Sequence, residues 1–334
     1  KVLGRLLTDQ MSQVQEIANE IKSKEVEYIF LAARGTSDNA GLYAKYLWGA
    51  YNHVPIALAT PSLFSIYDKP PDLKKALIVG ISQSGKSPDI VRVIEEGSRQ
   101  NVPTLVITND TASPLAESAN YVLSLNTGPE TAVAATKTYT AQLMLIAMLS
   151  VALEGDQERK EDLNGVQDWV ASMLGFDTMI SQLAEQYRDM RQCVVLGRGY
   201  NYATAFEWAL KLKELTYTMA GAYSSADFQH GPLALVTKGF PVFAVAPSGM
   251  VYPELLSLLE RLRHVSEVDL FVISNEDEAL RLAQSAVSIP SDLPEWLSPI
   301  VCVIPAQLTC LHISRVKGID TENPRGLEKV TLTW

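Results

Sequence analysis

The chain has 334 residues, 47% of them hydrophobic and 20% charged, a globular composition long enough for two domains or one doubled fold. Its formal net charge of −10, with no Lys/Arg-rich run, argues against nucleic acid as the main partner. It leaves room for a small anionic ligand, because a local group of backbone N–H donors can hold phosphate in an acidic protein.

In chain order, residues 1–24 read as an amphipathic helix and not a signal peptide, so a cytoplasmic protein is expected. Residues 28–48, "YIFLAARGTSDNAGLYAKYLW", read as a buried strand, an Arg-Gly turn and a helix with small residues on one face. A second strand, "ALIVG" at 76–80, enters "GISQSGKSPDI", and a helix follows. Ser82, Ser84 and Ser87 crowd that turn. A helix start with free N–H groups and a positive dipole end suits an anion, most often phosphate. Helix N-capping is the other use of serine there. A third strand, "TLVITND", spans 104–110.

The charged, apolar-poor stretch 153–165 suggests a boundary, giving domains 1–155 and 156–334. Residues 166–190 read as helical. The pattern then repeats: Arg34-Gly35 recurs as Arg198-Gly199 and Ser84-Gly85 as Ser248-Gly249, each 164 residues later. A third strand at 269–277 completes the second copy. Alternating strands and helices in each half call for α/β architecture, two tandem parallel sheets flanked by helices on both faces. Turns after the strands are where such sheets bind ligands. The second copy of the serine turn reads "APSGMV", with fewer hydroxyls, so phosphate is expected in the first half. The second half carries "KLKE" at 211–214 and "DFQHGP" at 227–232 instead.

The three cysteines, Cys193, Cys302 and Cys310, lie in apolar contexts without CxxC spacing and read as buried thiols. The histidines form no HxxxH pair, and no metal is expected. No apolar run approaches the roughly 18–20 residues of a bilayer span, so no membrane partner is expected.

The motifs "RGTSDNA", "SQSGKSPD", "TNDTASPLA", "GPETAVAATKTYTAQL", "LGRGYNYATAFEWALKLKEL", "AYSSADFQHGPLAL" and "NPRGLEKVTLTW" together resemble paired sugar-isomerase (SIS) domains. The pattern is similar to the isomerase portion of glutamine–fructose-6-phosphate aminotransferases and covers nearly the whole chain. Those synthases also carry an N-terminal glutaminase domain with an N-terminal Cys nucleophile; no counterpart lies in this sequence, and ammonia from glutamine is not expected. The family's SQSGET turn has Lys86 and Ser87 in its last two places, followed by Pro88, which resembles stand-alone type II glucosamine-6-phosphate deaminases. Asp227 stands where the family has a glutamate, one methylene shorter.

The resemblance implies roles residue by residue. Gly35, Thr36, Ser37, Ser82, Gln83, Ser84 and Ser87 would hold a sugar phosphate, with Val133 of "ETAVAATKT" contributing backbone contacts. That loop equally suits a packed helix start. Glu214 matches the base that moves a proton between C1 and C2, a task suited to a carboxylate. Lys211, three residues earlier, shares its helix face as a counter-charge; an ordinary surface ion pair has the same spacing. His230 matches the ring-opening residue, which in the family reaches the partner subunit's site, so a homodimer is implied. A histidine bonding only a turn carbonyl is the plain alternative. Lys329 matches the tail lysine that forms an imine with the open-chain ketose or holds its carbonyl, against an ordinary surface lysine. No cofactor is called for. The implied activity is glucosamine 6-phosphate to fructose 6-phosphate plus ammonia. A fructosamine-6-phosphate deglycase and a non-catalytic sugar-phosphate sensor are the alternatives.

Overall fold

A computed structural model describes residues 1–329. The chain divides into two units. Residues 1–131 and 135–164, with 328–329, form the first; residues 132–134 and 165–327 form the second.

In the first unit, α1 (Val2–Lys22) precedes β1 (Tyr28–Ala33), α2 (Thr36–Asn52) and β2 (Ile56–Leu58). Then come β3 (Ala76–Ser82), α3 (Pro88–Arg99), β4 (Thr104–Thr108), β5 (Tyr121–Ser124) and α4 (Lys137–Glu154). The five strands are parallel, in the order β2-β1-β3-β4-β5. Every residue of β3 and β4 is buried, as expected of strands covered on both faces. On one face Ile90, Val93 and Ile94 of α3 pack with Phe30, Ile78 and Val106. α4 is apolar on all sides, buried from Thr138 to Ala152 and packed against α1 and α2. It is keyed to α2 by Trp48 Nε1 donating to Ile146 O at 3.0 Å and Asn52 Nδ2 to Ser150 O at 2.9 Å.

The second unit opens on α5 (Val166–Leu174) and α6 (Asp177–Ala184). There follow β6 (Gln192–Gly197), α7 (Tyr202–Thr216), β7 (Met219–Ser224), α8 (Ser225–Gln229) and β8 (Pro241–Val245). α9 (Tyr252–His264), β9 (Asp269–Ser274), β10 (Ser285–Ser288) and α10 (Ser298–Val316) complete it. Its parallel order, β10-β9-β8-β6-β7, is the first sheet's order met from the other edge. The repeat at 164 residues is therefore a repeat of topology. α10 packs against α5, α6 and α7, as α4 packs against α1 and α2. Helix α6 is tied to α10 by His312 Nε2 and Asp177 Oδ1 at 2.8 Å. The three cysteines are free and buried, and burial raises the Cys193 thiol pKa to about 12.

One expectation needs correcting. The stretch Glu295–Val316 is long and apolar enough to cross a bilayer, with mean hydropathy 1.5 over its most apolar 18 residues, although 83% of those residues are buried inside the fold. Counting consecutive apolar residues passes over it because Pro305, Thr309 and Ser314 interrupt the run. Here it is the core helix of its unit.

Candidate active site

In the first sheet the strand order reverses between β1 and β3, and the crevice beyond their C-terminal ends is where such a sheet takes a ligand. Both turns singled out in the sequence are at that point. After β1, Gly35 has φ 55 and opens α2, a backbone conformation that favours glycine. Ser37 in the first turn of α2 is buried, and its hydroxyl accepts from Gln142 Nε2 at 2.9 Å.

After β3, the Gly85 N–H donates to Ser82 Oγ at 3.1 Å and the Lys86 N–H to Ser84 Oγ at 3.3 Å. A serine oxygen that accepts a turn N–H keeps its own O–H to donate, so both hydroxyls remain donors for an anion. Gly85 has φ 63, and a Cβ there would lie 2.0 Å from Ser113 Oγ and 2.5 Å from Ser113 Cβ. The tight turn therefore requires glycine on two counts. Ser87 is the N-cap residue of α3, yet its hydroxyl caps no N–H group. Capping does not describe it. Gln83 and Ser84 are half-buried beside it.

The two turns are braced by an ion pair the sequence pattern does not single out. Arg34 donates from Nε at 2.8 Å and approaches from Nη2 at 2.7 Å, both to Oδ2 of the fully buried Asp89. Glu130 is another omission. Its Oε2 accepts from the Thr138 N–H at 3.0 Å, Thr138 Oγ1 at 2.9 Å and the Thr136 N–H at 3.4 Å. The 130–138 loop thus folds back onto the start of α4, with Val133 half-buried and grouped with the second unit.

In the second unit, α7 carries Glu207, Lys211 and Glu214 on one face, at i, i+4 and i+7. Lys211 Nζ is 2.5 Å from Glu214 Oε2 and 3.5 Å from Glu207 Oε1. Side-chain exposure is 0% for Glu207, 2% for Lys211 and 23% for Glu214. This is no surface ion pair. Burial acts to lower the Lys211 pKa, but Glu207 and then Glu214 outweigh it and hold the ammonium above its ordinary value. Glu214 is the member with an open side. Glu207 was legible only as the residue four places before Lys211.

His230 follows α8 and is exposed. Its backbone N–H donates to Asp227 O at 3.0 Å, while its ring has no hydrogen-bond partner among the described residues. It does not meet Glu214 inside its unit. Glu214 lies near the end of α7, before β7 begins, and His230 lies past the end of β7. α7 lies on the sheet face of Phe243 and Phe271, against which Trp208 packs, whereas Phe228 of α8 packs on the opposite face with Val242 and Ala244. In the tail, the Arg325 N–H donates to Tyr217 Oη at 2.7 Å and its guanidinium stacks 4.6 Å from the Tyr217 ring centroid. Tyr217, with φ 52, ends α7 three residues beyond Glu214. Lys329 is half-buried and grouped with the first unit; residues 330–334 of the tail motif lie outside the described residues.

Comparison with known proteins agrees with the doubled fold. A family model described as the SIS domain fits twice, over residues 23–152 and 186–316. The isomerizing glutamine–fructose-6-phosphate aminotransferase of Methanothermobacter thermautotrophicus is 35% identical over 323 residues, 96% of this chain and 54% of that protein. The chain thus spans about half the length of the curated relatives it matches. The C-terminal domain of glucosamine-fructose-6-phosphate aminotransferase from Francisella tularensis aligns with a TM-score of 0.84 and 29% identity, over 97% of this chain and 98% of that one. Glucosamine-6-phosphate deaminase from Thermotoga maritima has the same fold, with a TM-score of 0.71 and 23% identity over 100% of both chains. With one match in each half of a doubled parallel-sheet fold, this chain belongs to the SIS-domain family, as a tandem pair.

Proposed function

We propose that the chain is a phosphosugar isomerase that converts glucosamine 6-phosphate and water to fructose 6-phosphate and ammonia. The observation that carries this reading is the Glu207–Lys211–Glu214 face of α7. A module that only sensed a sugar phosphate would need an anion-binding turn and no buried charge triad with one carboxylate left open. Ser82, Ser84 and Ser87, with Gly35, Thr36 and Ser37, would take the phosphate at the β1–β3 switch point. His230, with its unengaged ring, would open the pyranose by moving a proton from the anomeric hydroxyl to the ring oxygen.

Glu214 would then remove the C2 proton of the open-chain aldehyde and return it to C1. That shift, with one proton passing from the amine nitrogen to O1, leaves a hydroxyl on C1 and an imine on C2. Water adds to C2 and ammonia leaves, giving the ketose. Lys211 stabilises the carboxylate between the two transfers. Lys329 would hold the ketose carbonyl, as an imine or through a hydrogen bond. Because α7 and the α8 segment that leads to His230 pack on opposite faces of the second sheet, we propose a homodimer in which each chain lends His230 to its partner.

The test is incubation with glucosamine 6-phosphate while ammonia and fructose 6-phosphate are followed. Both should appear in equal amounts. Glu214→Gln should slow turnover by about 10²–10⁴-fold with sugar-phosphate affinity little changed. Cleavage of a fructosamine 6-phosphate with no product from glucosamine 6-phosphate would replace this reading with the deglycase.

A further inference from the structure

The doubled fold contains the serine turn twice, and the two copies are filled differently. In the first unit the Lys86 N–H bonds within the turn, to Ser84 Oγ at 3.3 Å. The equivalent N–H in the second unit, that of Met250, donates to Glu295 Oε2 at 2.9 Å. The carboxylate also rests on bare backbone. Gly249 has φ 145, and a Cβ there would lie 2.2 Å from Glu295 Cδ. α9 begins just beyond, so the carboxylate faces a helix N-terminus of 13 residues. An anion therefore already sits on the second copy of the turn, and the chain supplies it.

The neighbouring asparagine reinforces the difference. Asn275 Oδ1 accepts from the Ser248 N–H at 2.7 Å, and Asn275 Nδ2 donates to Ser248 Oγ at 2.9 Å. After β4 in the first unit, Asn109 turns its side chain to Thr127 and Gly128. Glu130, the acidic residue ahead of α4, is spent on the start of that helix. Among the described residues no carboxylate hydrogen-bonds to the 82–87 turn.

We propose that Glu295 is a built-in anion occupying the second unit's phosphate position, and that removing it uncovers a site for a small phosphate-type anion. The restriction to one phosphate per chain is then set by Glu295, and the second turn has kept its capacity to bind an anion. This inference rests on the reading that the first-unit turn takes phosphate.

The experiment counts inorganic phosphate bound per chain, by titration calorimetry, in the parent protein, Glu295→Ala and Glu295→Gln. The parent should bind one phosphate and Glu295→Ala two. Glu295→Gln should also bind two, the second more weakly, because its neutral amide oxygen still competes for the Met250 N–H. If the parent binds one phosphate and both folded variants also bind one, the proposal is overturned. If Glu295→Ala does not fold, the isosteric Gln variant decides alone. A parent that binds none beside a Glu295→Ala variant that binds one would remove the first-unit reading and leave this one standing.

Discussion

Lys211 keeps its charge with 2% of its side chain exposed, so its energetics depend on the carboxylates beside it. An ammonium taken out of water costs several kcal/mol, and removing Lys211 would take a counter-charge away from Glu207, a carboxylate with no exposure. Lys211→Met should therefore lower stability at neutral pH by about 3–5 kcal/mol. The pH dependence has a definite sign. The folded pKa of Lys211 is raised above its ordinary 10.5, against the pull of burial, by Glu207 and Glu214. A group with a raised folded pKa contributes stability that is complete below its unfolded pKa and lost as pH rises through the folded one. Thermal melts of the parent should therefore fall more steeply than those of Lys211→Met above about pH 10.5. Parallel curves through that window would mean that Lys211 is not held by the two carboxylates. The Lys211–Glu214 spacing was legible in the sequence; its burial was not, because a charged helix face reads as solvated until the fold covers it.

The elements divide in the same way. The serine turn could be read from local chemistry: three hydroxyls, a glycine that must take φ 63, and an apolar strand before it. The brace from Arg34 to Asp89 could not, since it joins residues 55 positions apart. Glu130 falls between these cases. It lies eight positions before Thr138, outside the usual capping-box spacing, and still supplies acceptors for the first N–H groups of α4. Glu130→Ala should destabilise the protein by about 1–2 kcal/mol in urea unfolding, the usual scale for a lost N-terminal cap. It should also raise KM for glucosamine 6-phosphate with kcat nearly unchanged, because the loop it folds contains Val133 and no proposed proton-transfer group. A fall in kcat at constant KM would assign the loop a part in the chemistry instead.

For the whole molecule, the offset of 164 residues was enough to foresee two equivalent sheets, and both have the same strand order. What the repeat hides is that the second copy has diverged at both ends of its sheet. Glu295 closes the turn at the C-terminal ends of the strands. Glu214 emerges at the opposite end, where α7 has run back along β6 on the face of Phe243, while His230 follows α8 on the other face, beside the Gln229 that bonds Arg261. The placement of the two groups on opposite faces of one sheet is what the proposed homodimer rests on. Mixing two inactive variants tests it. Glu214→Gln and His230→Ala homodimers, each inactive alone, should exchange subunits to form hybrids. In a hybrid, one site combines both substitutions, while the other joins an intact Glu214 to an intact His230 from the partner. Equal mixing makes half the dimers hybrids with one working site of two, so activity should recover to roughly a quarter of the parent's. A mixture whose subunits exchange, shown by mass-tagged chains, and which stays inactive would place both groups in the same chain's site and remove the shared-site dimer.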